Sequence, residues 1–322
     1  MFSPELHTSL AGITVVNFAI NVPGPLAAQH LGQLGARVIK VEPPTGDPLG
    51  SFGRPWYEAM SAGHEIIQAD LKSDEGRAQL SSLIDEADVV ITSVRPSALE
   101  RMGLAGLHER PNGPVHIDIV GDTKAPETPG HDLTYQAEAG TLTPPAMPPV
   151  LLGDILGAHF AVTAALAGLI KRAGAGADVV KQPGLHCRIG LKQAGEAGAA
   201  PLKYGMTAPG GLLGGGLWTY GLYPSADGYV AVAALEPHFA AALTEATRAS
   251  NREELADFLR ERTNAEITQL ASEKSLPLAA VKEAGQFKAA RLGEPGLEPY
   301  AVSPAASAVS STERSRSGTF SD

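Results

Sequence analysis

Cysteine is almost absent from this chain of 322 residues, which contains one. A single thiol, Cys187, excludes an intrachain disulfide and a cysteine-rich metal site, and we interpret it as an ordinary thiol. The GxGxxG, Walker A, HExxH and GxSxG signatures are absent as well. The glycine-rich stretch "GGLLGGGLW" (210–218) lacks the GK[ST] ending of a phosphate-binding loop. No local motif of these kinds therefore indicates a function.

Positive charge is also scarce, since 25 Lys and Arg face 35 Asp and Glu and the formal net charge is -10. Nucleic acid is not expected as a partner, because binding it normally requires a basic face. The beginning, "MFSPELHTSL", has no basic segment followed by an apolar run and predicts no signal peptide. The most apolar stretch, 155–170, contains His159 and is short for a bilayer. We therefore expect a soluble, cytoplasmic protein without a membrane partner.

Strands and helices alternate over the first part of the chain. Short apolar, β-branched runs such as "GITVVNFAI" (12–20) are typical of buried parallel strands. "PGPLAAQHLGQLG" (23–35) predicts a helix with proline in its first turn and Gly35 at its end. The further predicted strands are 36–42, 65–71, 88–94 and 114–121, and the further predicted helices are 73–87 and 96–103. This alternation predicts an open α/β sheet of Rossmann type, whose binding sites lie beyond the carboxyl ends of the strands.

The second half begins with a long helical pattern over 148–176, in which Asp154 stands at the expected N-cap. From 173 to 217 the composition shifts to glycine, alanine and proline, which indicates a second domain. A hairpin is predicted over 222–235, a helix from "EPHF", and another helical pattern over "REELADFLRERTNAEITQLASEK". The tail from Ser303 is serine-rich and predicts disorder. We expect a large domain over 1–186, a small α+β domain over 187–285, and a C-terminal segment over 286–322 that returns partly to the large domain and is partly disordered.

Three residues stand out as candidates for chemistry. His131 lies in "TPGHDLTYQAEAG" (128–140), where Pro129 and Gly130 precede it in a turn. Asp154 begins a helix, and Glu236 opens the helix after the hairpin. Each also has an ordinary structural explanation: a solvated polar turn, an N-cap, and a first-turn carboxylate favoured by the helix dipole. No spacing rule joins the three.

An ordered set of motifs links these candidates to a known family. The segments "LAGITVVNFA", "PGPLAAQHLGQLGARVIKVEPPTGD", "ADLKSDEG" and "ADVVITSVRPSALERMGL" resemble the N-terminal half of the family III CoA-transferase superfamily (CaiB/BaiF-like). "GHDLTY", "LLGDILG" and "GGLLGGGLWTYGLYPSADGYVAVAALEPHF" resemble its α-methylacyl-CoA racemase branch in particular. The resemblance covers 8–245, with weaker traces to 282. It implies a Rossmann-like large domain, a small domain and an interlocked homodimer whose site lies between the large domain of one chain and the small domain of the other.

The resemblance also implies roles for individual residues. His131 and Asp154 match the catalytic histidine and aspartate, and Glu236 matches the glutamate from the small domain. Arg101 matches an arginine near the CoA phosphates. The matching positions that border the CoA channel are Ala69, Arg95, Gly130, Asp132 and Tyr135. No metal is implied, and no cofactor beyond the CoA moiety of the substrate.

The leading expectation is a cofactor-independent racemase or epimerase acting on a 2-methylacyl-CoA or a related acyl-CoA. Such a reaction needs one group to remove the α-proton and another to return a proton on the opposite face, and His131 and Asp154 suit this exchange. Glu236 would orient His131 or support its charged form, and the N-terminal amides of the helix at Asp154 would stabilise the enolate oxygen.

Two alternatives stay open. The first is a CoA-transferase in which Asp154 is the nucleophile that forms an acyl anhydride. The second is a non-catalytic paralogue with weakened CoA binding. The latter is favoured by Pro43, which stands where racemases commonly carry an arginine, and by 62–65, which replace a basic run.

Overall fold

The structure, a computed structural model, describes residues 2–70, 73–174 and 184–282. The described residues form two compact units. The first contains 2–139 and 150–196, and the second contains 140–149 and 197–282. The expected C-terminal segment, 286–322, and the expected disordered tail lie outside the described residues.

A six-stranded parallel sheet forms the centre of the first unit. Its strands are β1 (Thr14–Asn17), β2 (Arg37–Glu42), β3 (Glu65–Gln68), β4 (Val89–Thr92), β5 (Val115–Val120) and β6 (Leu185–Gly190). The strand order is β3-β2-β1-β4-β5-β6, so the direction of winding reverses between β1 and β4. In sheets of this kind the reversal opens a crevice at the carboxyl ends of the two strands. The Rossmann-type α/β prediction is confirmed.

Helices cover both faces of this sheet. They are α1 (Pro23–Gln33), α2 (Leu49–Phe52), α3 (Arg54–Ser61), α4 (Asp74–Asp85), α5 (Pro96–Arg101), α6 (Asp132–Ala139), α7 (Leu152–Gly174) and α8 (Leu191–Gly198). Side chains of α1 and α7 pack into one apolar core and those of α4 and α5 into the other. The expected end of α1 is confirmed, because Gly35 adopts a positive φ of 101° just beyond it.

Among the described residues, α7 is the one helix with the length and hydropathy of a membrane span. Its small residues Ala158, Ala161 and Ala165 are buried in the core beneath the sheet. A Cβ atom on Gly168 would lie 2.6 Å from Cγ1 of Val115, so glycine permits the close approach of helix and strand. The core of the first unit thus explains the apolar residues on one face of α7, while Phe160 and Ile170 on the same helix are exposed.

The second unit has an antiparallel sheet in the order β7-β8-β9. Its strands are β7 (Tyr220–Ser225), β8 (Gly228–Ala233) and β9 (Leu278–Ala280), and its helices are α9 (Ala200–Lys203), α10 (Pro237–Thr247), α11 (Arg252–Arg260) and α12 (Asn264–Lys274). The hairpin of β7 and β8 is confirmed. The helical pattern predicted over "REELADFLRERTNAEITQLASEK" is divided into two helices, α11 and α12. The division occurs because Thr263 accepts a hydrogen bond from the Glu266 amide and forms a capping box that starts α12.

The division between the units differs from the expected boundary after residue 186. That boundary would cut β6, which pairs with β5 from Leu185 opposite Val115 to Gly190 opposite Val120. Strand pairing therefore keeps β6 in the first unit, and the change to the second unit comes after residue 196.

Candidate active site

A cavity of about 280 Å³ lies at the crevice of the parallel sheet. Residues from the loops after β1, β4 and β5 contribute to its wall, as expected for a sheet whose winding reverses between β1 and β4. All of the lining residues belong to the first unit. They are Ile20, Asn21, Pro23, Ser93, Val94, Arg95, Ile119, Val120, Gly121, Pro126, Thr128, Pro129, Gly130, His131, Tyr135, Asp154 and Leu191.

A buried ion pair holds the part of the wall that follows β1. The Lys40 ammonium lies 2.7 Å from Oδ2 of Asp47, and both side chains are almost fully buried. Asp47 also accepts a hydrogen bond from the Asn21 backbone N–H at 3.0 Å, while Lys40 donates to the Ala19 carbonyl at 3.3 Å. This ion pair is not among the residues predicted from the sequence. A lysine inside an apolar strand, followed seven residues later by an aspartate, was the available signal.

The beginning of α7 is capped from a neighbouring helix. Oδ1 of Asp132 accepts hydrogen bonds from the backbone N–H groups of Gly153 at 2.6 Å and Asp154 at 3.0 Å. Its other oxygen accepts from Nε2 of Gln136 at 2.5 Å, and the side chain is 4% exposed. The carboxylate thus satisfies two of the amides that a helix N-terminus leaves without partners.

Two expectations are corrected by this arrangement. Asp154 is not the N-cap, because α7 already begins at Leu152 and places Asp154 in its first turn. The amides of Gly153 and Asp154 are also not available to a substrate oxygen, since Asp132 accepts from both. Asp132 is not among the residues that line the cavity.

The Asp154 carboxylate lines the cavity and has no hydrogen-bond or ion-pair partner in the part of the chain that the structure describes. Burial raises the pKa of Asp154 to about 7, and the negative charge of Asp132 adds to this effect. Near neutral pH the group is therefore divided between its ionised and protonated forms. It can act as a nucleophile in the first form and as a proton donor in the second.

His131 lines the same cavity from the turn before α6. Its backbone N–H donates to Oγ1 of Thr134 at 3.2 Å, and that hydroxyl donates back to the His131 carbonyl at 2.7 Å. The residue is exposed, and its imidazole makes no hydrogen bond within 2–70, 73–174 and 184–282. The fold therefore brings His131 and Asp154, which are distant in sequence, to one cavity.

Tyr135 lies one helical turn after His131, and its backbone N–H donates to the His131 carbonyl at 3.2 Å. The side chain is 6% exposed and lines the cavity. Its hydroxyl lies against Gly121 and Gly130, where a Cβ atom on either glycine would collide with it. Burial raises the pKa of Tyr135, and among nearby charges that of Asp154 contributes most.

The residues implied for CoA binding divide into two groups. Arg95, Gly130 and Tyr135 line the cavity, whereas Ala69 and Arg101 do not. Ala69 is buried just after β3, and Arg101 ends α5.

An acidic side chain lies beside the two arginines. Glu127 accepts hydrogen bonds from the Ser97 backbone N–H at 2.8 Å and from the Ser97 hydroxyl at 2.9 Å. These bonds, followed by the charges of Arg95 and Arg101, lower the pKa of Glu127. The carboxylate therefore fastens the wall segment before His131 to the first turn of α5.

Glu236 belongs to the second unit. It occupies the N-cap position of α10 rather than the first turn, and its exposed side chain makes no capping hydrogen bond. No cluster of three or more His, Cys, Asp or Glu side chains suited to a metal ion occurs among the described residues.

Comparison with known proteins gives one family. The sequence profile described as CoA-transferase family III matches residues 10–297. The probable fatty acyl-CoA transferase Rv3272 of Mycobacterium tuberculosis is 34% identical over 205 residues, which are 57% of this chain and 52% of that protein. The succinyl-CoA–D-citramalate CoA-transferase of Chloroflexus aurantiacus is 30% identical over 58% of this chain and 51% of its own length. The chain spans about half the length of the curated relatives it matches.

Solved structures agree with this family in fold. The crystal structure of the hypothetical protein Rv3272 from M. tuberculosis has a TM-score of 0.71 and 25% identity, and the match covers 86% of each chain. A CAIB/BAIF family protein from Brucella suis has a TM-score of 0.69 at 23% identity over 86% of this chain and 84% of its own, a likeness of fold alone.

Proposed function

This chain belongs to CoA-transferase family III, and we propose that it transfers coenzyme A from an acyl-CoA to a carboxylic acid, with the Asp154 carboxylate as nucleophile. The observation that carries this proposal is the position of Asp154. An unpartnered, partly buried carboxylate faces a cavity at the crevice where α/β sheets bind their ligands. The named relatives support the same reaction, since both are CoA-transferases by name.

The proposed reaction balances without a cofactor. The Asp154 carboxylate attacks the thioester carbonyl, the C–S bond breaks, and the CoA thiolate leaves behind a mixed anhydride. The thiolate then attacks the Asp154 carbonyl of the anhydride, which releases the first acid and forms an aspartyl-CoA thioester. A second carboxylate repeats the two steps in reverse and leaves with CoA. Metal and redox chemistry are not required at any step.

The pKa of Asp154 predicts the pH dependence of this reaction. Only the ionised carboxylate attacks, and burial raises its pKa to about 7. The rate of the first step should therefore increase with pH through about 7 and level off above it, whereas an ordinary aspartate would be fully ionised well below this range.

The racemase or epimerase reaction is the second candidate, and one observation favours it. His131 and Asp154 line the same cavity, and a carboxyl group with a pKa of about 7 can both accept and donate a proton. In this reading the two residues would act on opposite faces of the α-carbon of a 2-methylacyl-CoA. Glu236 would support His131 across an interlocked homodimer, as the family resemblance implies.

We propose the same assembly and location for either reaction, a cytoplasmic homodimer that acts on an acyl-CoA. Light scattering at micromolar concentration should give the mass of two chains. A monomer mass would contradict the dimer and with it the role of Glu236.

One experiment separates the reactions. The protein is incubated with a fatty acyl-CoA, succinyl-CoA or a 2-methylacyl-CoA in deuterated water, with and without hydroxylamine, and the products are read by mass spectrometry. A transferase gives an adduct trapped at Asp154, and Asp154→Asn does not. A racemase gives deuterium at the α-carbon and no adduct. If neither the adduct nor the deuterated product forms, the result would support the non-catalytic alternative. Binding of CoA itself would then be measured by calorimetry.

A further inference from the structure

The cavity needs a hydrogen-bond donor for the acyl carbonyl oxygen, and the expected donors are occupied. Attack on a thioester moves negative charge onto that oxygen, and preorganised donors stabilise it. The first-turn amides of α7 would be the nearest backbone donors to Asp154. The amides of Gly153 and Asp154, however, already donate to Asp132.

The Tyr135 hydroxyl is available for this task. It has no hydrogen-bond partner among the described residues, although its side chain is 6% exposed. The hydroxyl oxygen itself is not fully buried, so the oxygen of a ligand can reach it and accept its hydrogen bond. The cavity is the space that this hydroxyl can reach, since Tyr135 belongs to its lining.

The surroundings hold the tyrosine ring in one position. Gly121 and Gly130 lie so close to the hydroxyl that a side chain at either position would occupy its space. On the other side, a Cβ atom on Gly195 would contact the Tyr135 Cβ at 3.9 Å. The other charged or titratable donors of the wall, Arg95 and His131, are exposed, whereas Tyr135 is buried. A donor in a buried site stabilises developing charge more strongly than a solvated one.

We propose that Tyr135 is a catalytic residue whose hydroxyl donates a hydrogen bond to the acyl carbonyl oxygen while Asp154 attacks the carbonyl carbon. The electron pair of the C=O bond moves to the oxygen as the C–O bond to Asp154 forms, and it returns when the C–S bond breaks. The proton stays on Tyr135 throughout. The raised pKa of Tyr135 supports this role, because the hydroxyl keeps its proton near neutral pH, where Asp154 becomes ionised. The inference rests on the proposed function.

The test compares Tyr135→Phe with the parent protein and with Tyr57→Phe. Tyr135→Phe removes only the hydroxyl and keeps the ring between its glycine neighbours. Tyr57→Phe is the matched control, because the Tyr57 hydroxyl donates to Glu42 at 2.8 Å outside the cavity lining. Rates of adduct formation at Asp154 are measured in single turnovers with succinyl-CoA and a fatty acyl-CoA, and kcat and KM in steady state.

We expect Tyr135→Phe to lower kcat about 100-fold, the effect of losing one oxyanion donor, with little change in KM. Tyr57→Phe should keep the parent kcat. A Tyr135→Phe protein with the parent kcat, or with only KM changed, would overturn the inference and leave the transferase proposal intact.

The remaining outcomes separate the inference from the proposed function. If the parent protein exchanges α-hydrogen without forming an adduct, the transferase proposal fails. Slower exchange in Tyr135→Phe would then still support the donor role, because an enolate oxygen needs the same hydrogen bond, and unchanged exchange would refute it. If the parent protein shows neither reaction, both proposals are refuted.

Discussion

Replacing Asp132 by asparagine tests how a buried neighbour sets the protonation of Asp154. The pKa of Asp154 lies about three pH units above its ordinary value, with burial as the larger cause and the charge of Asp132 as the smaller. Removing that charge should therefore lower the pKa of Asp154 by no more than about 1.5, or half of the whole difference. Asparagine keeps an oxygen that can accept from the Gly153 and Asp154 amides, so α7 should stay capped.

The assay follows the Asp154 carboxyl directly and does not depend on activity. Protein with ¹³C-labelled aspartate is titrated by NMR, and the Asp154 signal is assigned by comparison with Asp154→Asn. Glu138→Gln is the matched control, because it removes one negative charge from the same helix, α6, and should leave the Asp154 midpoint unchanged. A midpoint in Asp132→Asn that equals or exceeds that of the parent would refute the electrostatic reasoning.

Three further predictions concern stability and CoA binding. Lys40→Met should lower the free energy of unfolding by about 3–5 kcal/mol, because it leaves Asp47 buried without its partner, and Lys40→Met/Asp47→Asn should recover part of the loss in urea denaturation. Burial lowers the pKa of His30 and of His116 to about 4, so the unfolded state binds more protons between pH 4 and 6.5. The free energy of unfolding should therefore decrease as the pH is lowered from 6.5 to 4, by up to about 3 kcal/mol for each histidine, and a pH-independent value would contradict this. Pro43→Arg, in an exposed turn after β2, should strengthen CoA binding about tenfold through one charged contact, and calorimetry showing equal affinity would exclude that contact.

The parallel sheet and the place of its binding crevice could be predicted from the sequence. Short β-branched runs such as Thr14–Asn17 and Val89–Thr92 alternate with helices, and this local pattern is sufficient to predict buried parallel strands. His131 and Asp154 could be named as candidates from their turn and helix-start positions and from the family resemblance. The compact units divide after residue 196 rather than after the expected 186, because β6 pairs with β5 and packs against the core of the first unit, which are contacts between distant segments.

The tertiary structure decided what surrounds each candidate. Sequence placed Asp154 at a helix start, but the cap comes from Asp132, 21 and 22 residues away from the amides it binds. The fit of the Tyr135 hydroxyl against Gly121 and Gly130 also depends on where the chain returns after β5. Local periodicity determines which segments become strands and helices. The partners of a buried polar group, and hence its pKa and its availability to a substrate, are determined by segments that meet only in the folded protein.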